Sequence, residues 1–224
     1  MRGKFIVFEG VEGCGKTTQL QRTQSWLEAS GWLQFLQARG VVRTIVTTRE
    51  PGGTELGTGL RQLLLIPGEE PIQDRAELLL YAADRAQHVE GYLIPHLETG
   101  DLILCDRYTD STVTYQGYGR GLDLALIHQL NQIATRGLES DLTLWLHLDV
   151  ALGLERAAQR GKRDRLEQAD LSFHERVQKG FIELAKCHPE RIVAIDARGS
   201  VAEVALQIQT VLTERLTTWY GPKD

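Results

Sequence analysis

Cysteine is scarce in this chain: Cys14, Cys105 and Cys187 are its three thiols. They show neither C-x-x-C nor zinc-ligand spacing, and an odd, sparse set excludes a disulfide framework. Reduced thiols inside a cell are the expectation. Long apolar runs are also missing; none reaches the roughly 18 residues of a membrane span. A strand-like run already begins at Lys4, which leaves no room for a signal peptide and makes the cytoplasm the expected compartment. Positive charge is in deficit, with 25 Lys+Arg against 30 Asp+Glu and a formal net charge of −5. That argues against a surface that coats nucleic acid, and it makes a local cluster of arginines informative. No repeat, low-complexity tract or Pro/Gly/Ser-rich linker divides the sequence. Residues 1–224 are therefore expected to form one domain with a sizeable core.

What is present is alternation. Short runs rich in Ile, Val and Leu occur at Lys4–Glu9, Val41–Thr47, Leu102–Asp106, Leu142–Asp149 and Arg191–Asp196. Runs apolar on both faces belong to a parallel sheet covered by helices on both sides. Helices are expected at 16–37, 55–65, 74–98, 123–136, 151–159, 172–187 and 200–217. Ser172-x-x-Glu175 and Ser200-x-x-Glu203 read as capping boxes. In such a sheet a ligand sits beyond the carboxyl ends of the strands.

The first strand runs into Gly10-Val11-Glu12-Gly13-Cys14-Gly15-Lys16-Thr17, which fits G-x-x-x-x-G-K-[ST] between a strand and a helix. The glycines let consecutive backbone N–H groups face an anion, and the helix N-terminus adds positive potential. Lys16 is placed for β/γ-phosphates and Thr17 for Mg²⁺. Asp106, at the end of the third strand, suits a water-mediated Mg²⁺ contact or a helix N-cap. Arg107 suits bidentate phosphate binding or a surface ion pair. Arg49-Glu50-Pro51-Gly52-Gly53-Thr54 is a tight turn, either a connector or a loop facing the phosphate acceptor. Tyr81 and Arg85 share a helix face, as a base-stacking platform or as core. Lys162 and Arg163, with Arg156, Arg160 and Arg165, make a basic stretch around Gly161, either a solvated run or a closing lid over about 153–168.

Together these residues resemble the thymidylate kinase family over nearly the whole chain. The resemblance rests on Phe8–Thr18, on Thr48-Arg49-Glu50-Pro51-Gly52-Gly53-Thr54, on Leu80–His88 and on Asp106-Arg107-Tyr108-x-x-Ser111-x-x-x-Tyr115-Gln116. It implies an α/β P-loop nucleoside monophosphate kinase-like fold, with a five-stranded parallel sheet, helices on both faces and a short lid. The implied activity is phosphoryl transfer from MgATP to dTMP, in dTTP biosynthesis by the de novo and salvage routes. The partners implied are ATP and dTMP, without nucleic acid or membrane, in a homodimer.

Residue by residue, the resemblance implies that Gly10, Val11, Glu12, Gly13, Cys14, Gly15, Lys16 and Thr17 bind ATP. Thr17 and Asp106 serve Mg²⁺. Glu12, Arg49, Tyr81, Arg85, Arg107, Tyr115 and Gln116 bind dTMP, with Tyr81 stacking on thymine and Arg85 reaching its O4. Lys16, Arg107, Glu12, Arg160 and Arg165 carry catalysis. The family usually has Phe where this chain has Tyr81. Some relatives carry a catalytic arginine directly after the loop's acidic residue; this chain has Gly13 there, so the lid must supply it, as in the bacterial subtype. Kinases for other acceptors, a GTPase-type switch and a non-catalytic ATP-binding module are the rivals. The switch lacks its guanine-reading Asn-Lys-x-Asp segment, and the intact loop argues against the module.

Overall fold

A computed structural model describes residues 2–159 and 165–223. Its centre is a five-stranded, all-parallel sheet in the order β2-β3-β1-β4-β5. The strands are β1 (Lys4–Glu9), β2 (Ile45–Arg49), β3 (Leu102–Asp106), β4 (Leu142–His147) and β5 (Ile192–Asp196). β1, β3 and β4 are buried almost throughout, which is why they read as unbroken apolar runs rather than alternating ones. Register aligns the functional ends: Phe8 and Arg49 both pair with Asp106, and Glu9 pairs with Trp145.

Helices cover both faces. α1 (Lys16–Ala29) and α2 (Trp32–Ala38) replace one expected helix at 16–37. The break comes at Gly31, whose φ of 80° ends the first axis. The second strand also starts later than expected. The Val41 and Val42 amides still bond to Leu36 O, finishing α2, so β2 opens only at Ile45. α3 (Glu55–Leu65) is capped by Thr54, which accepts from Gly57 N. The stretch 74–98 is α4 (Asp74–His88), a π-helical segment Val89–Leu93 and α5 (Ile94–Glu98).

After β3 comes α6 (Thr109–Thr112), then a second π-helical segment, Val113–Gly119. Its widened turn is closed by Arg120 N bonding to Tyr115 O. α7 (Leu124–Thr135) follows. β4 stops at His147 rather than Asp149, because Asp149 turns to cap α8 (Val150–Ala158). α9 (Leu171–Cys187) is capped by Asp170, which accepts from Phe173 N at 2.7 Å. The capping box expected at Ser172 is therefore wrong; Ser172 donates its hydroxyl to Asp170 instead. The box at Ser200 and Glu203 does form and starts α10 (Val201–Tyr220). Among the described residues no helix is long and apolar enough to cross a membrane.

Candidate active site

The carboxyl ends of β1, β2 and β3 open into a cavity of about 530 Å³. Its floor is the phosphate loop. There the Lys16 ammonium donates to Gly10 O at 2.9 Å and Val11 O at 3.0 Å. Those carbonyls hold a buried cation at the mouth of a helix whose first amides are unpaired, the arrangement that attracts phosphate. Gly13 (φ 71°) has no room for a side chain: a Cβ would lie 2.0 Å from Gly153 O in α8. Cys14 is buried, and burial pushes its thiol up, away from the reactive thiolate.

Thr17 Oγ1 donates to Asp106 Oδ2 at 2.8 Å, joining the two residues expected at Mg²⁺. Two hard oxygen donors beside a phosphate loop fit an ion that keeps several waters and takes its other ligands from phosphates. They do not suit an all-protein cage, and no cluster of three His, Cys, Asp or Glu side chains that could hold a metal occurs among the described residues.

The acceptor side is built around Arg107, whose backbone sits at φ 73°. Its amide is fixed by Phe8 O. Its guanidinium donates to Glu12 Oε1 (2.8 Å), Ser111 Oγ (3.0 Å) and the Tyr115 hydroxyl (3.1 Å). Tyr115 also donates to Glu12. Burial alone would raise the Glu12 carboxyl. Arg107, then Lys16, then the Tyr115 hydrogen bond outweigh it and hold the group below the ordinary range. Arg107 in turn keeps its proton more tightly than usual: burial opposes its charge, but Tyr115, Glu12, Glu9 and Asp106 more than offset this.

Glu9 lies beneath this cluster with no exposed surface. It accepts from Tyr108 N, Ser111 N and Ser111 Oγ. Burial pushes its carboxyl up to about 7 against the pull of Arg107. His174 on α9 faces Glu12 at 3.7 Å, with neither ring nitrogen hydrogen-bonded among the described residues.

Tyr81 and Arg85 both line the cavity. The Arg85 guanidinium is buried and anchored: Nε donates to Glu50 Oε2 (2.8 Å), Nη1 to Asn131 Oδ1 (2.8 Å) and Nη2 to Tyr108 O (3.1 Å). Glu50 also meets His88 Nδ1 at 2.9 Å, and His88 Nε2 meets Thr48 Oγ1 at 2.7 Å. The turn after β2 is thus bolted to α4. Arg49 lines the cavity from this turn. So does Arg61 of α3, whose Nη1 donates to Pro51 O at 2.9 Å. Sequence reasoning missed Arg61, which belongs to no motif; its one signal is its place on the helix after the Arg49 loop. Burial, then the neighbouring Arg49, lowers its pKa, a mark of crowded positive charge.

Gln116 lines the cavity and donates from Nε2 to Glu77 Oε1 at 2.7 Å. Arg165, expected to deliver charge from the lid, is not among the residues lining the cavity. Its Nε donates to Leu64 O (2.8 Å), its amide to Leu65 O (3.0 Å), and its Nη2 pairs with Glu77 Oε2 (2.5 Å). The buried Glu77 carboxylate claims it. Arg160, Lys162 and Arg163 lie outside the described residues.

A family model described as thymidylate kinase matches residues 8–208. A thymidylate kinase of Cyanothece sp. is 62% identical, covering 98% of this chain and 97% of its own length. That of Acaryochloris marina is 56% identical, over 98% of this chain and all of its own. The crystal structure of thymidylate kinase from Ehrlichia chaffeensis superposes with a TM-score of 0.75 at 31% identity, covering 95% of this chain and 100% of that one. With matches that run almost end to end, this chain belongs to the thymidylate kinase family.

Proposed function

We propose that this protein is a nucleoside monophosphate kinase that transfers the γ-phosphoryl group of ATP to the 5′-phosphate of dTMP, giving dTDP and ADP for dTTP synthesis. The observation that carries this is a shared cavity. The phosphate loop, the Arg107–Glu12–Tyr115 cluster and the Tyr81/Arg85 pair all open into it.

The acceptor is already a phosphate anion, so the reaction needs no strong general base. It needs two mutually repelling anions held in line and their charge neutralised. In this reading Gly10–Thr17 cradle the ATP phosphates, and Lys16 leaves its loop carbonyls to meet them. Arg107 holds the acceptor phosphate in a planar fork, with Arg49 and Arg61 adding positive field. Glu12 is kept ionised by Arg107 and Lys16 and accepts the sugar 3′-hydroxyl; Tyr115 packs against the deoxyribose. Tyr81 stacks on the base and Arg85 reaches O4, with Gln116 at the base edge. Arg160 supplies lid charge, and Arg165, also assigned to catalysis from the sequence, acts at the lid's root. Thr17 and Asp106 would hold Mg²⁺, which when bound neutralises phosphate charge.

The same reading makes the protein a cytoplasmic homodimer. Leu79 on α4 and Leu126 and Ile133 on the neighbouring α7 are exposed apolar side chains that a second copy would cover. Light scattering at twice the chain mass would bear this out, and a monomer would refute it. The function itself is tested by measuring ADP release with ATP and a panel of nucleoside monophosphates. The expected result is turnover with dTMP well above that with dCMP, dAMP or dGMP; equal or absent turnover with dTMP overturns the proposal.

A further inference from the structure

Glu77 is a fully buried carboxylate that is not among the residues lining the site cavity, yet three side chains converge on it. Arg120 reaches Oε2 with Nη2 at 3.1 Å and Oε1 with Nε at 3.4 Å. Arg165 pairs with Oε2 at 2.5 Å, and Gln116 Nε2 donates to Oε1 at 2.7 Å. Asp74 is the other acidic group at hand, 3.4 Å from Arg120 and half exposed. Burial would raise the Glu77 carboxyl; the hydrogen bonds from Gln116 and Arg120 and the charges of both arginines bring it below the usual range. Glu77 is therefore a carboxylate, and a carboxylate can only accept. An amide has two ends of opposite polarity, and the one turned to a carboxylate must be nitrogen.

We propose that Glu77 is a positioning residue: by engaging the amide nitrogen of Gln116 it turns the Gln116 carbonyl toward the cavity, where that oxygen accepts from the acceptor base and selects pyrimidines carrying an N3–H. The Gln116 side-chain oxygen Oε1 receives no hydrogen bond among the described residues, while the backbone oxygen accepts from Leu122 N, and Gln116 lines the cavity. Arg85 lines the same cavity and presents the opposite polarity, a donor for a carbonyl oxygen. A donor and an acceptor so fixed match thymine and uracil, which offer O4 and N3–H. They mismatch cytosine, which offers an N4 donor and a bare N3. Arg165 and Arg120 act one step further out, keeping Glu77 charged. This inference rests on the dTMP reading above and adds the device that excludes cytosine.

The test is calorimetric binding of dTMP, dUMP and dCMP to the intact protein, with ATP binding as the internal control. For wild type, dTMP and dUMP should both bind more tightly than dCMP. Glu77→Gln frees the Gln116 amide to turn, so the Kd ratio of dCMP to dTMP should fall by ~10-fold or more, the size expected for one lost base contact. The Kd for ATP should stay within about two-fold, which a general loss of structure would not allow. In a Gln116→Ala background the same change should add nothing. An unchanged ratio in Glu77→Gln overturns the inference, as does an equal drop when Gln116 is already absent. If Glu77→Gln fails to fold, the doubly substituted Arg120→Gln, Arg165→Gln protein replaces it. There Glu77 loses its cations, takes up a proton as the buffer is acidified and donates, so selection should weaken from pH 8 to pH 5.5; a pH-independent ratio overturns the inference. Failure of wild type to bind dTMP at all would sink the functional reading itself, a distinct result.

Discussion

Thr17 and Asp106 stand 89 residues apart in the chain and 2.8 Å apart in space, hydroxyl to carboxylate. The contact joins the first turn of α1 to the last residue of β3. Replacing either group by one that cannot serve a hard cation should weaken metal use more than fold. For Thr17→Ala and Asp106→Asn, kcat should fall ~10- to 100-fold and the Mg²⁺ concentration for half-maximal rate should rise. Titration of activity with Mg²⁺ reads this out; an unchanged Mg²⁺ requirement would remove both residues from the metal site.

Lys16 spends its donors on neighbours within its own loop, the Gly10 and Val11 carbonyls and Cys14 Sγ, rather than on distant parts of the fold. Lys16→Ala should lower kcat by at least ~10²-fold, the order of one preorganised charge at a transferring phosphoryl group. Thermal melts should stay near wild type. A purified variant with near-normal turnover would contradict the role assigned to the loop.

Arg85 and His88 share the Glu50 carboxylate deep in the molecule. Glu50→Ala leaves a buried guanidinium without its carboxylate, a change that costs about 3–5 kcal/mol. For a domain of this size that is roughly a 10 °C fall in Tm. Calorimetry should find it, together with a higher KM for dTMP as Arg85 loses its aim. A loss under 1 °C would mean that Asn131 and Tyr108 alone anchor Arg85.

Asp84 lies under the same turn, accepting from Gly52 N with Oδ1 while Oδ2 is buried without a partner among the described residues. Burial, then the nearby charge of Glu50, pushes its carboxyl up to about 6 from an ordinary 3.8. The folded chain thus holds this proton more tightly than the unfolded one. The contribution favours folding fully below pH 3.8 and is lost as pH rises through 6. Asp84→Asn keeps the acceptor for Gly52 and removes the charge. It should stabilise the protein at pH 8 by about 1–2 kcal/mol, and by nothing near pH 4. Equal effects at both pH values would refute this.

Much of the fold was legible because its signals are local. The sheet announces itself through apolar runs such as Leu102–Cys105, and the phosphate loop through glycines that its geometry demands. Ser200 caps as its residue type suggests, whereas Asp149, read as the end of the fourth strand, turns to cap α8 instead. The errors sit where tertiary packing overrides local preference. Val41 and Val42 have strand propensity but finish a helix against Leu36 O. The π-helical turn that presents Tyr115 and Gln116 has no compositional mark, since it differs from an α-turn by one residue of winding.

At the site, residue identities read well and their partners did not. Tyr81, Arg85, Arg107, Tyr115 and Gln116 do converge on one cavity. Yet the sequence alone gives no hint that Arg85 is braced by Asn131 from α7, or that Arg165 is drawn to a carboxylate on α4. Charged side chains carry no label for the opposite charge they will meet. Arg61 and Glu77 escaped notice for the same reason.

The backbone contact between Gly13 and Gly153 sets a limit on how this enzyme can be rewired. A cation transplanted into the loop at position 13 would have to push the whole of α8 outward. A Cβ on Gly153 would meet Glu12 O just as a Cβ on Gly13 meets Gly153 O, so a side chain at 13 demands concerted change on both sides of this contact rather than a single exchange.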